Sequence, residues 1–156
     1  MQTLNLPPFD AKYSNKNGKP CIYDRLRRKN VALTPEERVR QYFVNFLITC
    51  KSFPPERMAN EVSISVNTTA KRCDTVVYDN YLTPLAIIEY KAPDVTISAD
   101  VFDQIARYNF VLRVPYLIVS NGIDHFCCKI DYSSMKCGFI DHIPGYDEMK
   151  SEQTGS

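Results

Sequence analysis

The chain has 156 residues, a formal net charge of +1, 44% hydrophobic residues and 24% charged residues. This length suffices for one domain with a hydrophobic core, and the small net charge means that any contact with a polyanion must use a local basic patch. No apolar run approaches the roughly 20 residues that span a bilayer, and the N-terminus lacks the basic start and apolar run of a signal peptide. We therefore expect a cytoplasmic protein without membrane segments, whose six cysteines are reduced.

Several common catalytic signatures are missing from the sequence. It contains neither the GxxxxGK[ST] phosphate-binding loop nor the GxSxG nucleophile elbow. Its cysteines lack the CxxC spacing that is typical of a structural zinc site. These absences argue against an ATP motor, a serine hydrolase and a zinc-stabilised fold.

The N-terminal third predicts an extension followed by a helix. Residues 1–33 are rich in proline and turn-forming residues, and they predict an irregular N-terminal extension or a short hairpin. Thr34 as a capping residue, Pro35 at the first helical position and two glutamates in the first turn predict that a helix begins here. Val39, Phe43 and Leu47 recur at helical spacing and predict its buried face.

The rest of the chain alternates strands and a helix. Three strand candidates with short connections, EVSISV (61–66), CDTVVYD (73–79) and PLAIIEYK (84–91), predict an antiparallel meander. A helix over roughly 99–112 follows, then the strands PYLIVSNG (115–122) and HFCCKID (125–131). The polar residues 146–156 predict a frayed C-terminal tail. We therefore predict one α/β or α+β domain over residues 34–145, with a mixed central sheet flanked by helices.

Two carboxylates and a lysine are predicted to meet at one end of this sheet. Glu89 and Lys91 lie two residues apart at the end of a strand, so they face the same way. Asp74 begins the preceding strand and would lie near Glu89. Two carboxylates about 4 Å apart repel by about 4 kcal/mol at an effective dielectric of ~20, so either Lys91 or a divalent cation must offset the charge. Oxygen ligands alone favour Mg²⁺ or Mn²⁺.

The first helix can add a third carboxylate. At roughly 100° per residue, Glu36 falls in line with the buried face, whereas Glu37 lies on its flank. A core-facing acid needs a partner, and Arg40 one turn later is the alternative to the metal cluster. Glu61 could also join from its strand, and the sequence leaves the choice among these three glutamates open.

Gln104 and Tyr108 are the last members of the constellation. They form a QxxxY pair on one face of the second helix and could reach the same strand end. Each motif alone has an ordinary structural explanation, such as a surface salt bridge or a polar helix edge. Their order along the chain is the informative observation: acid on a helix, Asp on a strand, ExK on the next strand, QxxxY on the following helix.

This order resembles the PD-(D/E)XK nuclease superfamily, whose restriction-endonuclease-like core is α-β-β-β-α-β. More closely, residues 20–145 resemble the N-terminal nuclease domain of the restriction (R) subunit of type I restriction enzymes. The resemblance rests on the segments YDRLRRKNVALTPEERVRQYFVNFLI, KRCDTVVYD, LAIIEYKAPDVTI, VFDQIARYN and VPYLIVSNGIDHFCCKID. Cys73 stands where the motif has proline. The translocase of type I R subunits is not part of this sequence, so we expect either a domain of a longer protein or a short free-standing relative.

The resemblance implies a Mg²⁺-dependent DNA endonuclease, for which Mn²⁺ would substitute. It implies that Asp74, Glu89 and Glu36 bind the metal ion and that Lys91 positions or activates the attacking water. Gln104 and Tyr108 would orient the site or contact DNA. The expected partners are DNA and other restriction–modification subunits or a separate translocase. The alternative is a non-catalytic module on the same fold that binds DNA or another subunit.

Two basic clusters are candidates for DNA contacts. Lys71 and Arg72 directly precede Asp74, and Arg27 and Arg28 belong to the segment DRLRRKN. Contacts to the phosphate backbone need charge but little sequence specificity. The alternative for the second cluster is a solvated charged loop. The two histidines, at positions 125 and 142, are expected to be structural.

Overall fold

The structure, a computed structural model, describes residues 1–154. Over these residues the chain forms nine strands, three α-helices and one short 3₁₀ helix at Pro55–Arg57. In chain order the elements are β1 (Tyr13–Lys16), β2 (Lys19–Asp24), β3 (Lys29–Ala32), α1 (Pro35–Cys50), β4 (Met58–Val66), β5 (Thr69–Tyr78), β6 (Pro84–Tyr90), α2 (Ala99–Phe110), β7 (Tyr116–Ser120), β8 (His125–Asp131), β9 (Lys136–Ile140) and α3 (Tyr146–Thr154).

The central sheet has six strands in the order β4-β5-β6-β7-β8-β9. All neighbours are antiparallel except β6 and β7, which are parallel and are joined by α2. A parallel pair needs such a crossover because the chain must return to the same end of the sheet before the second strand starts. The predicted mixed sheet and the α-β-β-β-α-β order are therefore confirmed.

The hydrophobic core lies on both faces of this sheet. Ile88 packs on the face covered by α1, whereas Ile87 packs on the face covered by α2. This alternation explains the continuous apolar run of β6, since a strand buried on both faces has no solvent-facing position to fill with a polar residue. Among residues 1–154, no helix combines the length and the apolar character that crossing a membrane requires.

The N-terminal extension is more regular than the sequence predicted. Strands β1, β2 and β3 form a separate antiparallel sheet, where an irregular segment or a single hairpin was expected. Asn17 and Gly18 turn β1 into β2 with φ angles of 53° and 80°, the backbone that two-residue hairpin loops favour. The oxygen Oδ1 of Asp24 then accepts hydrogen bonds from the backbone amides of Leu26 and Arg27, which turns the chain towards β3.

Helix α1 begins as predicted, but its rotation differs from the prediction. Oγ1 of Thr34 accepts a hydrogen bond of 3.0 Å from the backbone amide of Glu37, and Pro35 is the first helical residue. Glu37 is buried and Glu36 is exposed, the reverse of the prediction from helical phase. The reason is that Gln41, which the apolar pattern left out, is also buried and extends the inward face towards Glu37.

The C-terminal tail was wrongly predicted to be frayed. Residues 146–154 form α3, while residues 155–156 of the predicted tail lie outside the described part of the chain. Met149 is fully buried in the core on the α1 side, and the hydroxyl of Tyr146 donates a hydrogen bond of 2.8 Å to the carbonyl oxygen of Tyr78. One buried methionine and one buried tyrosine therefore anchor a segment that is otherwise polar.

Candidate active site

An open cavity of about 470 Å³ lies where β6 ends, on the face covered by α2. Strands β5 and β6 supply its acidic floor, and α2 supplies one wall. In an α/β sheet the carboxyl end of a strand beside a parallel neighbour is a common place for a ligand site. The lining residues are Arg72, Asp74, Glu89, Tyr90, Lys91, Gln104, Ile105, Tyr108 and Asn109.

Asp74 and Glu89 share this cavity, but their surroundings differ. Oδ2 of Asp74 accepts a hydrogen bond of 3.0 Å from the backbone amide of Tyr90, which ties β5 to the end of β6. Burial, followed by the negative charge of Asp74, raises the pKa of Glu89 to about 9. Oε1 of Glu89 is buried and has no hydrogen-bond partner among the described residues. A carboxylate in this position needs either a proton or a positive charge beside it.

Lys91 follows Glu89 on the same face, as the alternation of a strand predicts. Its backbone amide donates a hydrogen bond of 2.9 Å to the carbonyl oxygen of Ser120, so the pairing of β6 with β7 continues one residue past the strand. This bond fixes the backbone at Lys91 and directs its side chain into the cavity that holds Asp74 and Glu89. The structure thus brings together the three residues of the predicted motif.

The predicted third carboxylate does not join Asp74 and Glu89. Within residues 1–154, no three His, Cys, Asp or Glu side chains are close enough together to hold one metal ion. Glu36 is exposed on the rim of a neighbouring cavity of about 260 Å³, which it shares with Asp74 and Glu61. Its placement follows from the rotation of α1, which turns Glu37 inward instead.

Glu37 also lines this neighbouring cavity, but a cluster of hydrogen bonds engages both of its carboxylate oxygens. Arg40 donates to both of its carboxylate oxygens at 2.7 and 2.9 Å, and Gln41 and Arg27 donate at 2.9 and 2.7 Å. Although burial alone would raise the pKa of Glu37, these donors, with Arg40 first, hold it below its ordinary value. The sequence offered Arg40 as the partner of an inward-facing Glu36. In the structure Arg40 pairs with Glu37 instead.

Arg40 connects this cluster to the strands of the cavity. Its guanidinium donates a hydrogen bond of 2.7 Å to the carbonyl oxygen of Asp74 and forms an ion pair of 2.8 Å with Glu61. Only 8% of the Arg40 side chain is exposed, and a charge held that far from water needs acceptors within the protein. Arg40 is therefore well placed to fix the backbone that carries Asp74.

Gln104 and Tyr108 line the cavity from α2, as the QxxxY spacing predicts. Tyr108 is 51% exposed, and the ammonium group of Lys71 lies 3.6 Å from the centre of its ring. This cation–π contact holds Lys71 beside the cavity while its charge stays accessible to solvent. Lys71, Gln104 and Tyr108 are thus all placed at the cavity or beside it.

The four predicted DNA-contacting residues separate into distinct environments. Arg72 lines the cavity with 64% of its side chain exposed, and its Nε lies 2.9 Å from Oε2 of Glu61. Arg27 is instead only 21% exposed, and its guanidinium is paired with Asp24 and Glu37, so it has little left to offer a phosphate. Arg28 is exposed on another cavity, of about 360 Å³.

A buried polar chain behind the site was missed from the sequence. Nδ2 of Asn60 donates to Asp24, while Thr75 donates to Oδ1 of Asn60 at 2.7 Å and lies 2.9 Å from the hydroxyl of Tyr90. The chain runs from the N-terminal sheet through β4 and β5 to β6. The available signal was the presence of Asn60 and Thr75 at inward-facing positions of strands, where apolar residues are usual.

The cysteine before Asp74 and the two histidines have structural surroundings. Cys73 is fully buried, and burial together with the charges of Glu89 and Asp74 raises the pKa of its thiol to about 12. Burial lowers the pKa of His125, whose ring nitrogens pair with Ser120 and the carbonyl oxygen of Asn5. The second histidine, His142, lies on the surface with acidic partners from its own neighbourhood.

The chain is similar to a solved structure and matches a protein-family model. Among solved structures, the chain is similar to a fragment assigned to the HsdR subunit of a type I restriction enzyme from Vibrio vulnificus YJ016, with a TM-score of 0.55 and 18% sequence identity. The similarity covers 79% of this chain and 26% of that chain, so this chain spans about a quarter of the length of its solved neighbour. No curated protein matches the sequence.

The mixed sheet, its flanking helices and this neighbour define a restriction-endonuclease-like fold. The family model described as "Type I restriction enzyme R protein N terminus" matches residues 35–144, well over half of the chain. The chain therefore belongs to the family of type I restriction enzyme R protein N-terminal domains. The match starts with α1 and ends just before α3, so the site residues on β5, β6 and α2 all lie within it.

Proposed function

We propose that this protein is a Mg²⁺-dependent nuclease domain that hydrolyses DNA phosphodiesters, as part of a type I restriction system. The observation that carries the proposal is the convergence of Asp74, Glu89 and Lys91 in one solvent-accessible cavity. The buried, unpartnered Oε1 of Glu89 supports it, because a divalent cation beside this atom would compensate its charge.

Asp74 and Glu89 would hold the cation, and Mn²⁺ would substitute for Mg²⁺. When bound, the cation would polarise the scissile phosphate and lower the pKa of nearby water. Lys91 would orient the attacking water and stabilise negative charge as it develops on the phosphate. Gln104 and Tyr108 would position the nucleic acid along α2. Lys71 and Arg72 would contact its backbone, where charge matters more than sequence.

The working partners would be DNA and the other subunits of a restriction–modification complex, including a translocase in the same or a separate chain. The family membership supports this assembly, because R proteins are components of type I restriction enzymes. Glu36 stays a candidate for a metal contact from the neighbouring cavity, since it is exposed and lines that cavity together with Asp74.

The first test is a cleavage assay on supercoiled plasmid with Mg²⁺ or Mn²⁺. We expect that Asp74→Asn, Glu89→Gln and Lys91→Ala each reduce the cleavage rate at least about 100-fold, because each removes a group that acts on the reacting phosphate. Asp100→Asn, at an exposed position of α2, serves as the matched control and should cleave like the wild type. Cleavage that survives all three site substitutions would reject the assignment.

The alternative function is a binding module without catalytic activity. It is supported by the fact that, among residues 1–154, only two acids, Asp74 and Glu89, line the main cavity. Titrating Mn²⁺ while following the melting temperature separates the two, because a ligand that binds only the folded state stabilises it once it exceeds its Kd. We expect a rise in melting temperature that Glu89→Gln abolishes. A flat response together with intact DNA binding would support the module instead.

A further inference from the structure

Glu61 occupies an unusual position beside the candidate active site. It lies on β4 between the register pairs Asn60–Thr75 and Val62–Cys73, which places it across from Asp74 on β5. The φ angle of Glu61 is 56°, a left-handed value that a non-glycine residue rarely adopts inside a strand. Such backbone strain is concentrated at functional sites.

Two arginines hold the Glu61 carboxylate on its present side. Oε1 lies 2.8 Å from Nη2 of Arg40, and Oε2 lies 2.9 Å from Nε of Arg72. The two contacts are unequal, since the Arg40 side chain is 8% exposed and the Arg72 side chain is 64% exposed. The Arg72 contact is therefore the one that solvent or a ligand can displace at low cost.

The buried partner tolerates the loss of Glu61. Arg40 keeps two hydrogen bonds to Glu37 and one to the carbonyl oxygen of Asp74, so its charge stays compensated when Glu61 moves. Glu61 also shares a cavity with Asp74, and its charge is one of the influences that raise the pKa of Glu89. It is therefore close enough to act on both carboxylates of the site.

We propose that Glu61 is the third acid of the cation site, and that its ion pair with Arg72 keeps it out of that site until a DNA phosphate takes Arg72. Arg72 is suited to this exchange because it is exposed and lines the same cavity as Asp74 and Glu89. Arginine binds carboxylates and phosphates with the same planar set of donors, so one anion replaces the other directly. The inference rests on the proposed function, since it needs a cation at Asp74 and Glu89.

The test measures Mn²⁺ affinity by electron paramagnetic resonance, without DNA and without turnover. Arg72→Ala releases Glu61, and we expect it to bind Mn²⁺ about tenfold more tightly than the wild type. The double variant Arg72→Ala with Glu61→Gln should return to the wild-type affinity, because the gain depends on the released carboxylate.

A charge-matched control separates this effect from a general change in potential. Lys71→Ala also removes one positive charge beside the cavity, but Lys71 contacts Tyr108 and has no ion pair with Glu61. We expect it to change Mn²⁺ affinity by less than about threefold. Glu36→Gln in the Arg72→Ala background should keep the tenfold gain, which assigns the third acid to Glu61 rather than to Glu36.

The outcomes distinguish this inference from the proposed function. If Arg72→Ala binds Mn²⁺ like the wild type, or if the gain persists in the double variant, Glu61 is not the withheld acid and the inference is wrong. That result leaves the proposed function standing as long as Asp74→Asn and Glu89→Gln abolish Mn²⁺ binding. If neither of these two substitutions affects Mn²⁺ binding, the proposed cation site is wrong, and the inference about Glu61 is wrong as well.

Discussion

At the scale of single residues, the site depends on one acid that the fold makes costly to ionise. Glu89 is half-buried and lies beside Asp74, and its buried Oε1 has no hydrogen-bond partner within residues 1–154. Its pKa of about 9 means that the folded protein keeps a proton on Glu89 at neutral pH, whereas the unfolded chain loses it near pH 4.5. A bound cation would replace this proton, so metal binding should release a proton and strengthen as the pH rises.

Glu89→Gln should therefore stabilise the protein in the absence of metal. The folded wild type binds one more proton than the unfolded state between about pH 4.5 and pH 9, so its stability falls as the pH rises through this window. Glutamine removes that loss, and we expect a gain of roughly 2–4 kcal/mol in the free energy of unfolding at pH 8. Urea unfolding in EDTA at pH 6, 7, 8 and 9 measures it.

The control for this experiment is Glu36→Gln, at an exposed carboxylate on the rim of the neighbouring cavity. It should leave the free energy of unfolding close to that of the wild type. If Glu89→Gln shows the same pH dependence as the wild type, Glu89 is already ionised in the folded protein and its placement beside Asp74 costs little.

At the scale of elements, the N-terminal sheet is joined to the nuclease-like core through a buried acid. Asp24, at the end of β2, is fully buried and accepts hydrogen bonds from Arg27 and from Asn60 on β4. Arg27 also contacts Glu37 on α1, so one charge cluster joins β2, α1 and β4. The N-terminal sheet thereby helps to set the rotation of α1, which decides that Glu37 rather than Glu36 faces inward.

Asp24→Asn should loosen this junction. Although burial alone would raise the pKa of Asp24, the donors around it hold the pKa below 3.8, so the native group is an anion. Removing its charge leaves Arg27 with one acid instead of two, and we expect a loss of about 2–4 kcal/mol in the free energy of unfolding at pH 7. Urea unfolding measures this loss.

Asp10→Asn, at a side chain that is 89% exposed, is the matched control and should change the stability by less than about 0.5 kcal/mol. The stabilisation by Asp24 is present above pH 3.8 and is lost as the pH falls through its lowered pKa. The difference between wild type and Asp24→Asn should therefore shrink only in strong acid. Equal stability of the two proteins at pH 7 would show that the cluster is not needed to join the elements.

At the scale of the whole molecule, the sequence predicted the elements whose side chains repeat with a clear period. Residues such as Val39 and Phe43 identify α1, and face alternation brings Glu89 and Lys91 together without any long-range information. Strands β3 and β9 were missed because neither contains a fully buried residue, so they have no buried–exposed alternation to detect. The rotation of α1 could not be predicted either, because partners distant in the sequence decide it.

The small net charge also predicts how the proposed DNA binding should depend on salt. With a charge of only +1, binding must depend on a few local contacts, and its salt dependence should be correspondingly modest. Lys71→Ala should weaken duplex binding and reduce the slope of log K against log salt by about 1. Fluorescence anisotropy between 50 and 200 mM salt, a range chosen on the same principle, measures this slope.

The matched control is Lys136→Ala, which removes an exposed lysine from β9 at the far edge of the central sheet. This substitution should leave the slope unchanged. Equal slopes for the wild type and Lys71→Ala would contradict the proposed phosphate contact of Lys71 beside the cavity.

The burial of Cys73 beside Asp74 and Glu89 makes the reactivity of its thiol a measure of local opening of β5. Its thiol is fully buried and its pKa is about 12, so the folded state keeps it almost free of the reactive thiolate. Any event that parts β5 from its neighbours would restore an ordinary, quickly alkylated cysteine. Mass spectrometry can therefore compare the labelling rate of Cys73 with that of the exposed Cys50. The ratio measures how often the strand that carries Asp74 opens.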